Sequence, residues 1–443
     1  MKIRATSRTI WAISFPVILA GISEKVVELT DVVFLARYGI VELGAIALAD
    51  AIYAMAIFVI VGLADGIQIV IARRAGQEQD QEIGNVFNHG LLLLALTSVA
   101  VILAIEFLSP LLTAAVVSSV NVAKAVDDFL RIYVFAVIFH AANLAYSAFY
   151  VGVSRTRVLI GATVVLAITN IVLDYGLIFG NLGLPRMGIR GAAIASLTAE
   201  IAAFLFITIY AWRRFDLRRY GLFKLHKWSK SLSRLLASIS SPVAFDSLVE
   251  TLRWLIFFLI IEQLGETSLA IANIVFACYA LLLIPIEGIS ETTCSMASNL
   301  IGQDKRSSIG LLLRKTMSMS LIIVSPFVIF AFIWPEYVIS IFSSDPEIIA
   351  GSVNSLRVVL LAVLVVIVGD MSVSVVAGAG DTVATFLIEV VVTVCTLVWA
   401  VGAAFILELP LEYVWTAEVV GWVVCVLLTL GWLRSGRWKR LQI

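Results

Sequence analysis

Apolar residues in this chain gather in long runs broken by short polar stretches. A membrane-crossing helix needs about 20 predominantly apolar residues. Twelve runs meet that length: 8–36, 44–72, 86–112, 126–152, 157–180, 188–212, 235–262, 268–300, 313–342, 350–378, 383–408 and 411–434. Each is predicted to be a helix, because a lone apolar segment in lipid must satisfy its own backbone groups. The pattern is written twice. Displaced by 226 residues, Pro16-Val17 meets Pro242-Val243, Glu24 meets Glu250, Tyr53-Ala54 meets Tyr279-Ala280, and Gly76-Gln77 meets Gly302-Gln303. Gly152 and Thr156 still meet Gly378 and Thr382 in that register, without a gap. The predicted architecture is all-α and integral to the membrane, with twelve transmembrane helices in two six-helix lobes. The first lobe covers 1–212, a basic cytoplasmic linker 213–234, and the second lobe 235–443. Two similar bundles with a site between them are the usual plan of a transporter.

Composition agrees with that pattern. The 443 residues are 61% hydrophobic and 14% charged, with a mean hydropathy of +1.04. Soluble domains carry roughly a quarter charged residues, so the solvent of this protein is largely lipid. The formal net charge of zero conceals an asymmetry. Lys2, Arg4, Arg8, Arg73, Arg74, Arg155, Arg157, Lys305 and Arg306 fall on one side, with the linker's Arg213, Arg218, Lys224 and Lys227 and the tail's Arg437, Lys439 and Arg440. Cationic loops stay cytoplasmic, so both termini are expected on the cytoplasmic face of the plasma membrane. The basic linker reads as a topology determinant and a contact for anionic lipid rather than for nucleic acid.

Other chemistries find little support. The basic, then apolar N-terminus looks like a signal peptide, but it runs on through Glu24, Glu28 and Asp31 with no small-residue cleavage site, and is read as a retained first helix. Cys278, Cys294, Cys395 and Cys425 lie inside predicted spans with no CxxC, and His89, His140 and His226 are scattered. There is no Walker-type loop, and no nucleophile–base or metal constellation of the kind an enzyme needs. A non-enzymatic protein without cofactor, working as a monomer, is expected.

The informative residues are carboxylates at membrane depth, which are costly and by default functional. Glu24, Glu28 and Asp31 are spaced i, i+4, i+7 on one face of the first helix. That face must look into a wet cavity or at other helices. Lys25 is adjacent, neutralising part of the charge or snorkelling to the interface. On the fifth helix Asn170 and Asp174 are one turn apart. Asp31, Asn170 and Asp174 offer hard oxygen ligands suited to a sodium-like cation, and an acid cluster without a counter-charge can equally carry a proton. Alternatively, Asn170 and Asp174 merely hydrogen-bond between helices. The seventh helix carries Asp246, Glu250 and Arg253 at the same spacing, where an internal ion pair is an equal reading. Glu287 and Glu291 form a one-turn pair, Asp65 matches Glu291 across the repeat, and Glu200, Asp370, Glu389 and Glu418 are single acids in spans. Pro16 and Pro242 interrupt backbone bonding in the matched helices that carry the acids, and mark either hinges or static kinks.

Four segments together resemble the multidrug and toxic compound extrusion (MATE) transporters, across essentially the whole chain. They are "PVILAGISEKVVELTD" from Pro16 to Asp31, "GVSRTRVLIGATVVLAITNIVLDYGLIFG" at 152–180, "GIRGAAIASLTAE" in the sixth helix, and "GAGDT" at 378–382. The resemblance implies an outward-pumping antiporter driven by Na⁺ or H⁺, with a cation or proton site at Asp31, Asn170 and Asp174. It also implies a hydroxyl from the sixth helix, Ser196 or Thr198. Glu250 is similar to an acid some members use on the seventh helix. Its usual tenth-helix partner falls on Val366, with Asp370 one turn away.

The expectation is therefore a secondary transporter exporting small apolar or cationic, drug-like compounds by alternating access, with Glu24 and Glu28 lining the cargo cavity. The alternative is a lipid-linked glycan or lipid flippase of the same superfamily, which would favour a cationic cavity.

Overall fold

The computed structural model describes residues 3–214, 217–223, 228–436 and 438. Lys2, Lys224, Lys227, Arg437, Lys439 and Arg440, counted among the cytoplasmic charges, lie outside these residues. The helices are α1 (Ser7–Tyr38), α2 (Ile40–Gly76), α3 (Asp80–Val116), α4 (Val120–Tyr133), α5 (Ala136–Gly152), α6 (Arg157–Phe179), α7 (Ile189–Arg214) and the short α8 (Leu217–Tyr220). There follow α9 (Lys230–Glu262), α10 (Glu266–Gly302), α11 (Ile309–Ile333), α12 (Pro335–Ile339), α13 (Pro346–Gly378), α14 (Thr382–Val401) and α15 (Leu411–Ser435).

Each predicted span is present as helix, and among the described residues ten helices are long and apolar enough to cross a membrane as single elements. The other two differ for physical reasons. The fourth span is a pair, α4 and α5, bent by 52°. α4 is amphipathic: Ala125, Val126, Phe129 and Leu130 are its buried stripe, while Asp128 on another face pairs with Arg190 at 2.8 Å. α9 has the length, 33 residues, but carries Asp246, Glu250 and Arg253 through its apolar stretch. The ninth span, drawn to 342, is shorter than expected. α11 stops at Ile333, Trp334 leaves helical geometry, and Pro335 opens the separate α12, where the missing proline N–H costs nothing.

Two compact units make up the chain, Phe15–Ala244 and Lys2–Ser14 with Phe245–Ile443. The divisions fall inside α1 and α9, beside Pro16 and Pro242, rather than in the 213–234 linker. In the second unit Ile3, Ala5, Ile10 and Ile13 join the core formed by Met296, Leu300, Leu312 and Val375. Lys315 Nζ donates to the Ala5 carbonyl at 2.9 Å and Gln303 Nε2 to that of Ile3 at 3.1 Å.

In the first unit the start of α9 packs against α2 through small residues. Gly62 and Gly66 on α2 face Ala244 and Ser240 on α9, and a Cβ on Gly62 would come within 2.5 Å of the Ala244 backbone. Small residues four apart let helix backbones approach closely where lipid offers no hydrophobic drive. Gly62→Val should therefore lower the midpoint of thermal unfolding, since overpacking costs about 1–3 kcal/mol. Gly44→Ala, facing open space on the same helix, should leave it unchanged or raise it. The linker's described part also docks in this unit. Asn88 Oδ1 accepts from the Phe223 N–H at 2.8 Å, Asn88 Nδ2 donates to the Gly221 carbonyl at 3.1 Å, and Arg219 pairs with Asp80 at 2.7 Å.

Candidate functional site

Beyond Pro16, α1 turns its acidic face into the first unit. There Glu24, Glu28 and Asp31 line a cavity of about 460 Å³ closed by α2, α4, α5, α6 and α7. The i, i+4, i+7 spacing places them along one wall. Lys25 pairs with Glu28 at 2.7 Å, so part of the acidic charge near the rim is compensated locally.

At the deep end the structure brings Asp31, Asn170, Asp174 and Ser196 together. Asp31 lies within side-chain reach of the other three. Asn170 and Asp174 are fully buried. Asn170 Nδ2 donates to Ser196 Oγ at 3.2 Å, which leaves the amide oxygen free to face the carboxylates. That oxygen, both Asp174 carboxylate oxygens and Asp31 Oδ1 are buried without a hydrogen-bond partner. Thus α6 supplies two acceptors one helical turn apart, α1 a third and α7 a hydroxyl. Two like charges about 4 Å apart repel by about 4 kcal/mol at an effective dielectric of 20. Such a pair is stable only with a proton or a cation among its oxygens, and the donor set is that of a hard cation.

Thr198 does not join this cluster. Its hydroxyl donates back to the Ile194 carbonyl at 2.6 Å, so of the two sixth-span hydroxyls it is Ser196 that faces Asn170.

Glu250 and Asp370 lie in the second unit with different partners. Glu250 is half exposed and 3.8 Å from Arg253. Asp370 accepts from Ser290 Oγ at 2.9 Å. The centre of charge there is Arg253, which is buried. Its guanidinium is 2.6 Å from Glu418 and 3.5 Å from Glu389, and Tyr279 donates to the second Glu418 oxygen at 3.4 Å. The seventh-helix spacing suggested an ion pair within α9, but the stronger partner comes from α15.

Several cavity groups escaped the sequence reading. Asp50 and Tyr53 on α2, Tyr133 on α4, and His140 and Asn143 on α5 all line the cavity. Asp50 is a lone acid inside a span, so the rule that singled out Glu24 applied to it equally. For His140 and Asn143 no pattern existed, because their partner Glu200 lies on a helix about sixty residues away.

An all-helical, duplicated membrane protein holding an acid-lined cavity has the architecture of a secondary transporter. A family model, MatE, matches the chain twice, over residues 16–176 and 242–401. The chain belongs to that family, the MATE transporters, and the two matches begin in the same 226-residue register as the repeat. It is similar to a probable multidrug resistance protein NorM of Thermotoga maritima, 23% identical over 440 residues, covering 97% of this chain and 93% of that one. It is likewise similar to the probable multidrug resistance protein YoeA of Bacillus subtilis, 22% identical over 442 residues, covering 97% and 93%. Among solved structures, a MATE transporter in its straight conformation superposes with a TM-score of 0.90 at 19% identity, covering 98% of this chain and 97% of that one. An outward-facing multidrug resistance MATE family transporter of the MOP superfamily superposes with a TM-score of 0.89 at 20% identity, with the same coverage.

Proposed function

We propose that this protein is a multidrug efflux transporter of the plasma membrane, exporting small apolar or cationic compounds in exchange for Na⁺ or H⁺ by alternating access. The observation that carries this reading is the set of unpartnered buried oxygens at Asp31, Asn170 and Asp174, opening on a cavity whose acids outnumber its bases. Glu24, Glu28, Asp50 and Glu200 line that cavity against Lys25 and His140. An isolated charge at membrane depth costs about 2.5–3.5 kcal/mol even on the mildest scale, and a travelling cation removes that cost each time it binds. Relatives named as multidrug resistance proteins support the cargo class. Uptake of Na⁺ or a proton by Asp31 and Asp174 neutralises the cluster and weakens the hold on a cationic cargo.

The test uses purified protein in liposomes, with dye flux driven separately by a sodium gradient and by a pH gradient. One of the two should move dye against its own gradient. If neither does, the antiporter reading fails and a lipid-linked flippase becomes the better account.

A finer prediction follows from the sixth-span hydroxyls. Ser196→Ala strands the buried Asn170 amide donor, a loss of about 1–3 kcal/mol. It should raise the coupling-ion concentration for half-maximal export by about tenfold or more, whereas Thr198→Val should shift it less than about twofold.

A further inference from the structure

α5 and α7 hold a second polar network on the wall of the same cavity. His140 Nδ1 donates to Glu200 Oε1 at 2.9 Å. Asn143, one turn along α5, donates its amide to Glu200 Oε2 at 2.7 Å and to the Glu200 carbonyl at 3.2 Å. Both carboxylate oxygens therefore accept, as an ionised carboxylate does. With Nδ1 donating, neutral His140 presents its other nitrogen, Nε2, as an acceptor. Nε2 has no hydrogen bond among the described residues and is not buried; the side chain is 24% exposed and lines the cavity. The acids whose charge reaches His140 are Glu200 on α7 and Glu24 on α1. The other ionisable groups on the cavity side of its neighbours are Lys25, Glu28 and Asp31 on α1, Asp50 and Tyr53 on α2, and Tyr133 on α4. The Tyr53 and Tyr133 rings pack at a tilt of 35° with centroids 4.5 Å apart, giving the cavity an aromatic face beside its acids.

We propose that His140, Asn143 and Glu200 form a cargo subsite for the charged nitrogen or phosphorus centre of an organic cation, and that a proton taken up by His140 expels that cargo. The inference rests on the transporter reading above and deepens it. With His140 neutral, the Glu200 charge is uncompensated, and together with Glu24 and the tyrosine faces it attracts a bulky cation. Asn143 fixes the carboxylate so that it does not rotate to follow the cargo. A proton on Nε2 converts His140 to imidazolium, which supplies the counter-charge to Glu200 from within the protein. One positive charge enters as another leaves at the subsite, while the coupling ion that drives the transport cycle is still taken up at Asp31 and Asp174. Histidine suits this role because its ordinary titration range lies near physiological pH.

The test is equilibrium binding of tetraphenylphosphonium, a cation with no titratable proton, to the purified full-length protein between pH 5.5 and pH 8 at constant Na⁺. The wild type should bind more weakly as pH falls, by up to about tenfold per pH unit on the acid side of the transition. His140→Asn should flatten this dependence to within about twofold. Glu200→Gln, a nearly isosteric second variant that keeps an acceptor for Asn143, should bind at pH 8 as weakly as the wild type does at pH 5.5. Wild-type pH dependence retained in both variants, or absent from the wild type, overturns the proposal. Gradient-driven dye export is read on the same preparations. Wild-type export with unaltered slopes in both variants removes only the subsite. The expected slopes without any export support the subsite and remove only the antiporter reading.

Discussion

Gradient-driven export by the Asp31→Asn, Asp174→Asn double variant is expected to fall to the level of protein-free liposomes. The expectation rests on energetics. A tenfold ion gradient is worth about 1.4 kcal/mol, and one charge crossing 100 mV about 2.3 kcal/mol. A single coupled cation can thus sustain a gradient of about several hundred-fold for a neutral cargo, and of about tenfold for a monovalent cationic one, whose outward charge cancels the voltage contribution. Without the carboxylates the deep site takes up no coupling ion, and a proton on His140, which displaces cargo only at its own subsite, does not replace it. The same variant should be at least as stable as the wild type, because two neutral amides replace two carboxylates that repel each other. Loss of transport with an equal or higher thermal midpoint separates removal of a coupling site from general damage. Stored instability of this kind is common where function demands an unfavourable arrangement.

Arg253→Met should have the largest effect on stability. Arg253 is 4% exposed and Glu418 1% exposed, with 2.6 Å between them. Removing the guanidinium leaves a buried carboxylate without its counter-charge, a loss of about 3–5 kcal/mol. The yield of monodisperse protein and its thermal midpoint should both drop sharply. The Arg253→Met, Glu418→Met double variant should recover most of that loss, since two apolar side chains replace the pair without leaving a charge behind. Arg253→Lys should rescue only in part, because one ammonium cannot span Glu418, Glu389 and Glu250 as a planar guanidinium does. The contrast between the units is chemical. Glu250, Glu389 and Glu418 of the second gather round a resident cation, whereas Asp31 and Asp174 of the first pair with none among the described residues.

Much of the fold was legible in the residues. Runs of apolar side chains report directly on lipid exposure, and the 226-residue register that joins Pro16 to Pro242 also joins the two family matches. What stayed hidden were features that apolar runs do not encode. The 52° break between α4 and α5 lies in a stretch with no proline or glycine to mark it. The packing of Ile3, Ala5, Ile10 and Ile13 in the second unit was equally silent, because a continuous apolar helix does not state which core each of its turns joins. At the site, Asp31, Asn170 and Asp174 stood out as polar groups in apolar surroundings, and the helical period brought the last two onto one face. Ser196 and Thr198 could not be separated, since the rotation of α7 about its axis is set by packing alone. The pairing of His140 with Glu200 joins two helices distant in sequence, and only their tertiary arrangement reveals it.

The most direct measurement runs the proposed exchange backwards. Liposomes containing the protein are loaded with a cationic dye, diluted into dye-free buffer with no ion gradient imposed, and Na⁺ and proton movement are recorded. Coupling free energy is reciprocal between ligands, so dye leaving should draw Na⁺ or protons inward in the wild type and draw neither when Asp31 and Asp174 are both asparagine. Dye movement with no opposing ion flux, or ion exchange that persists in the asparagine variant, would contradict the assignment of these two carboxylates as the coupling site.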